Sequence, residues 1–79
     1  MDIRRTVGRN IKAVRIAAGM SQEELAAQMD VDQGYISSLE AGKRNPTILT
    51  VWHVSVALGV LPDVLFRMDG GNGTGASAD

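Results

Sequence analysis

Cysteine is absent from this chain of 79 residues, which rules out a disulfide framework and a thiolate metal site and fits a reducing cytoplasm. Proline occurs twice and aromatic residues three times, so helix packing by aliphatic side chains has to supply the core. No apolar run approaches the roughly 20 residues a bilayer crossing needs. The amino-terminal MDIRRTVGRN has basic residues but no continuous hydrophobic segment of the signal-peptide kind. The expectation is a cytoplasmic protein with no membrane partner. With one histidine, no Gly-rich phosphate loop and no clustered metal ligands, neither catalysis nor a cofactor or metal site is expected.

What is present suits one small domain, with 44% hydrophobic residues to bury. The net charge of -1 argues against an indiscriminate polyanion binder, but the charges are unevenly placed. Arg4, Arg5, Arg9, Lys12 and Arg15 face only Asp2 in the first fifteen residues, and Lys43 with Arg44 form a second basic spot. Taken alone, the first cluster reads equally well as a solvated helix face.

Apolar periodicity predicts helices and no strands. Ile3, Val7, Ile11, Val14 and Ala18 mark the first, with Gly19 as its stop. Ser21 with Glu24 three residues on is a capping-box pattern, and Leu25, Ala26 and Met29 give the second, short helix its apolar side. A connection through Asp30 and Val31 leads to Asp32 as N-cap of a third, on which Ile36, Leu39 and Glu40 share a side and which ends near Gly42. A fourth runs from about Thr47 to Leu58, closed by Gly59, with Ile48, Val51, Val54 and Leu58 as its core stripe. Pro62 opens a short fifth helix through Phe66. Beyond Met68, DGGNGTGASAD has four glycines and no large apolar residue, and is expected to be a disordered tail over 69–79.

The third helix has an unusual outer side. With Ile36 pointing inward, the 100-degree helical step puts Gly34, Ser37, Ser38 and Ala41 opposite it, all small. Two short helices joined tightly, the second with a face that another surface can approach closely, form the helix-turn-helix arrangement.

The run GMSQEELAAQMDVDQGYISSLEAGKRNPT, with ALGV further on, resembles the repressor and Cro-like (XRE-type) family of bacterial and phage regulators over roughly residues 7–66. SQEELA and YISSLEAGKRNP are diagnostic together and less so apart. The resemblance implies an all-α, five-helix repressor-like DNA-binding domain containing a helix-turn-helix, here residues 3–68. It implies that Gln22, beside Ser21 at the start of the second helix, binds backbone phosphate. An amide donor at an anion-favouring helix end suits that independently. It also implies that Gln33 reads base edges, as glutamine can pair with N6 and N7 of adenine. Gly34, Ser37 and Ser38 complete the base-facing set, although Gly34 stands where many members carry a base-reading side chain, which leaves room for DNA shape to share the discrimination.

Lys43, Arg44 and Asn45 occupy the loop that runs along phosphates in this family. Arg9 and a flexible IRR start are further candidates, and Tyr35 is placed to reach phosphate or to pack between helices. Arg15 and Glu40 match the family's pair joining the first helix to the recognition helix. On the fourth helix Leu49, Trp52 and Val56 form a second apolar stripe where relatives commonly carry polar residues. With Leu61, Val64 and the outward His53 they are the expected homodimer interface, unless Trp52 folds into the core. The implied function is a sequence-specific transcriptional regulator on a pseudo-palindromic double-stranded operator, repressing by covering a promoter or activating by contact with RNA polymerase. A restriction-modification controller protein, and an antitoxin or protein-interaction module on the same fold, stay open.

Overall fold

The computed structural model describes residues 2–68; the tail expected over 69–79 lies outside them. The chain forms α1 (Ile3–Ala17), α2 (Gln22–Met29), α3 (Gln33–Glu40) and α4 (Ile48–Leu58), followed by a 3-10 helix, Pro62–Phe66. The described residues contain no strand.

Most boundaries are set by the capping chemistry that the sequence displays. The Asp2 carboxylate accepts from the Arg4 backbone N–H at 3.0 Å, so the IRR start expected to be flexible is the helical first turn of α1. Both halves of the capping box of α2 are present: Ser21 Oγ accepts from Glu24 N at 3.0 Å, and Glu24 Oε1 accepts from Ser21 N at 2.7 Å. Thr47 caps α4 by accepting from Thr50 N at 3.1 Å. Asp32 holds the N-cap position of α3, but its side chain makes no capping bond.

The connection between α2 and α3 turns on Asp30, whose φ of 58° is left-handed, a conformation that ends a helix and that aspartate tolerates better than most residues.

The fifth helix departs from expectation in kind. Its i→i+3 bonds, Val64 N to Leu61 O and Arg67 N to Val64 O, make it a 3-10 helix. Five residues close too few α-helical hydrogen bonds to favour the wider turn.

The core is one cluster: Val7 and Ile11 from α1, Leu25 and Ala26 from α2, Ile36 and Leu39 from α3, Val51, Val54 and Leu58 from α4, and Leu65 from the 3-10 helix. Ile48, expected in the core stripe of α4, is 87% exposed. It is the first residue of the helix, and side chains tilt toward the helix start, so its side chain projects past the edge of the core although the spacing is right. Two devices hold α1 against the rest. Gly8 lets it approach the end of α3 so closely that a Cβ there would strike the Leu39 carbonyl and lie 2.9 Å from that of Glu40. Asn10 Nδ2 donates to Leu65 O at 2.9 Å and to Arg67 O at 2.7 Å, tying the 3-10 helix to α1.

Candidate nucleic-acid interface

Burial of Ile36 and Leu39 fixes how α3 is rotated, and therefore what it shows outward. Gln33, Gly34, Ser37 and Ala41 are exposed and Ser38 is half-buried. A Cβ built on Gly34 meets nothing within 4 Å, so the start of α3 opens onto free space. The face deduced from the helical step is the face the structure leaves uncovered.

Behind it runs a chain of polar contacts. Arg15, on α1, donates from Nε to Glu40 Oε2 at 2.6 Å and from Nη2 to Glu40 Oε1 at 3.0 Å, a two-point pair whose side chains are 10% and 4% exposed. Its remaining Nη1 donates to the Met20 carbonyl at 2.9 Å. The hydrogen bond to Glu40 raises the already high pKa of the Arg15 guanidinium against the opposing effect of burial.

From Glu40 the chain continues outward. Gln22 Nε2 donates to Glu40 Oε1 at 3.0 Å, and Gln33 Nε2 donates to Gln22 Oε1 at 2.6 Å. Four residues singled out in the sequence, on three different helices, thus form one continuous path from the core to the open face. Only the Arg15–Glu40 step was foreseen; the glutamine steps depend on side-chain reach that linear spacing does not reveal. Gln22 spends one N–H on Glu40, and its second remains for an anion at the start of α2.

The loop after α3 is arranged around Tyr35. Its half-buried ring packs against the core, its hydroxyl shares a 3.0 Å hydrogen bond with Thr50 Oγ1, and the Arg44 guanidinium lies 4.8 Å from the ring centroid. Thr50 is held in turn by Thr47 Oγ1 at 3.0 Å. Tyr35 is thus packed between helices, with Arg44 carried on its ring. Thr50 is a contributor the sequence reading missed, signalled only by its place three residues after the cap of α4. Lys43 and Asn45 are exposed beside Arg44. Gly42, at φ 75°, lies against the Arg5 backbone and side chain, so the basic start of α1 adjoins the basic loop. Arg9 is exposed on α1.

Away from α3, the second stripe of α4 is in solvent: Leu49 is 67%, Trp52 54% and Val56 61% exposed. Trp52 does not fold into the core. Leu61 and His53 are exposed as well, whereas Val64 is half-buried. Trp52 is the ridge between two grooves, one shared with Gln28 and Met29 of α2, the other closed by Pro62 and Phe66. Among the described residues no group of three or more histidine, cysteine or acidic side chains is placed to hold a metal, and no helix is long and apolar enough to cross a membrane.

Comparison with known proteins agrees with this geometry. The helix-turn-helix family model matches residues 11–65. An uncharacterized HTH-type transcriptional regulator, y4dJ of Sinorhizobium fredii, is 47% identical over 60 residues, covering 76% of this chain and 78% of that protein. The control protein C.BamHI of Bacillus amyloliquefaciens is 39% identical over 62 residues, 77% of this chain and 76% of its own. Among solved structures, the restriction-modification controller protein C.AhdI of Aeromonas hydrophila superposes with a TM-score of 0.76 at 32% identity, over 80% of this chain and 96% of that one. The hypothetical transcription factor NHTF from Neisseria gives 0.81 at 32% identity, over 86% and 78%. With its two short helices, its tight turn and a family match over residues 11–65, this chain belongs to the helix-turn-helix family of transcriptional regulators.

Proposed function

We propose that the protein is a sequence-specific DNA-binding transcriptional regulator whose unit of recognition is residues 3–68 and which works as a homodimer. The observation that carries this is the open side of α3, where Gln33, Gly34 and Ser37 are exposed and a Cβ on Gly34 would meet nothing within 4 Å. In this reading α3 enters the major groove, where Gln33 meets a base edge and Ser37 and Ser38 offer hydroxyls. Ser21 and Gln22 at the start of α2, and Lys43, Arg44 and Asn45 after α3, hold the backbone on either side, with Arg9 nearby. Two protomers joined through the stripe of α4, with Leu61 and Val64, present two copies of α3 about 34 Å apart to a pseudo-palindromic operator.

The test is selection of bound sequences from random duplexes. A discrete two-fold motif is expected, and Gln33→Ala should relax it at one or two positions by about 1–3 kcal/mol. A motif unaltered by that substitution removes Gln33 from base reading, and binding that does not weaken with salt removes the protein from DNA.

A second reading is favoured by two of the similar proteins, the control protein C.BamHI and the restriction-modification controller protein C.AhdI. Here the chain would act on the promoter of its own operon, repressing by occupancy or activating by contact with RNA polymerase. Retention of that promoter fragment at concentrations that leave random duplex free would support it. An antitoxin or other protein-interaction role would instead leave both DNAs free.

A further inference from the structure

The polar chain that starts at Arg15 has a direction. A carboxylate accepts hydrogen bonds and donates none, whereas a primary amide carries two N–H donors on one atom and its lone pairs on the other. Glu40 Oε1 lies 3.0 Å from the Gln22 side chain, so Gln22 must present its nitrogen there and its oxygen to the far side. Gln33 meets that oxygen at 2.6 Å and must in turn present nitrogen. One N–H of Gln33 is thereby spent, and its oxygen and its second N–H remain.

Resting on the DNA-binding reading above, we propose that Glu40 is a positioning residue for base selection. Paired with Arg15, it fixes through Gln22 the orientation of the Gln33 amide and so makes Gln33 select adenine over guanine. Adenine offers the N6 amine as donor beside N7 as acceptor, which an oxygen and an N–H of fixed order match; guanine puts the acceptor O6 where N6 was, facing the Gln33 oxygen. An amide released from Gln22 could bring both of its N–H groups to O6 and N7 and escape that penalty. The buried ion pair therefore does more than join α1 to α3, because the negative charge on Glu40 reaches the DNA as the polarity of an uncharged side chain.

Gln22→Leu separates this from a merely structural role. It breaks the chain between Glu40 and Gln33 while leaving the Arg15–Glu40 pair and the side-chain volume in place, so the melting temperature should stay near that of the wild type. Affinities are measured for the selected site and for its single adenine-to-guanine changes, using the full chain. Loss of a phosphate donor weakens all sequences alike, whereas loss of the relay should lower the adenine-over-guanine ratio about tenfold at the Gln33 position alone. Glu40→Gln, if it folds, should do the same. In the free protein, the side-chain amide protons of Gln22 and Gln33 should exchange slowly with water in the wild type and quickly in Glu40→Gln. Wild-type amide protons that exchange as fast as those of a solvated glutamine overturn the relay. A wild type that selects no site overturns both this proposal and the DNA reading; a selected site whose adenine-over-guanine ratio survives Gln22→Leu overturns this one alone.

Discussion

At Glu40 a single side chain answers to two demands, since it neutralises a buried arginine and anchors the polar chain that leads to the open face of α3. Removing one member of so enclosed a pair leaves the other charge without its partner, a cost of about 3 kcal/mol or more. Glu40→Ala should accordingly lower the melting temperature by about 12 °C or more for a domain of this size, and an unchanged melting temperature would dispose of the structural role. Because the pairing raises the pKa of Arg15, its contribution is present below the unfolded-state pKa and fades only as pH rises through the folded one, beyond the range in which binding is measured. The ion pair was legible in the sequence through the family resemblance. The two glutamine bonds were not, because Gln22 and Gln33 lie eleven residues apart on different helices and meet only once α2 and α3 have packed.

At the scale of the helices, caps are written locally and packing limits are not. Ser21 with Glu24, and Thr47 before the apolar run of α4, announced their helix starts because each cap satisfies amides within three residues. The exposure of Ile48 and the 3-10 geometry after Pro62 depend on where the core ends, which no local pattern encodes. Two glycines make the contrast measurable. Gly34→Ala adds a methyl to open space and a better helix former, and should stabilise by up to about 1 kcal/mol. Gly8→Ala drives the same methyl against the Leu39 carbonyl and should destabilise by about 1–3 kcal/mol through separation of α1 from α3. Chemical denaturation of the two variants gives opposite signs if the close approach is real.

For the whole molecule, the apolar side of α4 matters most. Leu49, Trp52 and Val56 are too large and too contiguous to suit a monomer's surface, and a two-fold partner would cover each stripe with its copy. Sedimentation equilibrium should show a homodimer at micromolar concentration, and Val56→Asp a folded monomer with much weaker operator binding. With Lys43 and Arg44 of both protomers on phosphates, log affinity should fall with log salt at a slope of about -4, roughly twice that of the monomeric variant. A wild type still monomeric at tens of micromolar would sink the arrangement. This stripe was visible in the sequence, since the helical period separates it from the core stripe without any knowledge of the fold.

The amide of Asn10 joins residues 55 and 57 positions away, fastening the last described helix to the first. The helical turns of α1 to α4 need only near neighbours and can form in microseconds, but this fastening must wait for almost the entire domain to be present. A chain leaving the ribosome cannot complete its core before Leu65 has emerged, and until then the side of α1 that Leu65 will cover is open to other molecules. Cooperativity follows from the same fact: loosening the 3-10 helix uncovers α1, so the two ends of the domain should unfold together.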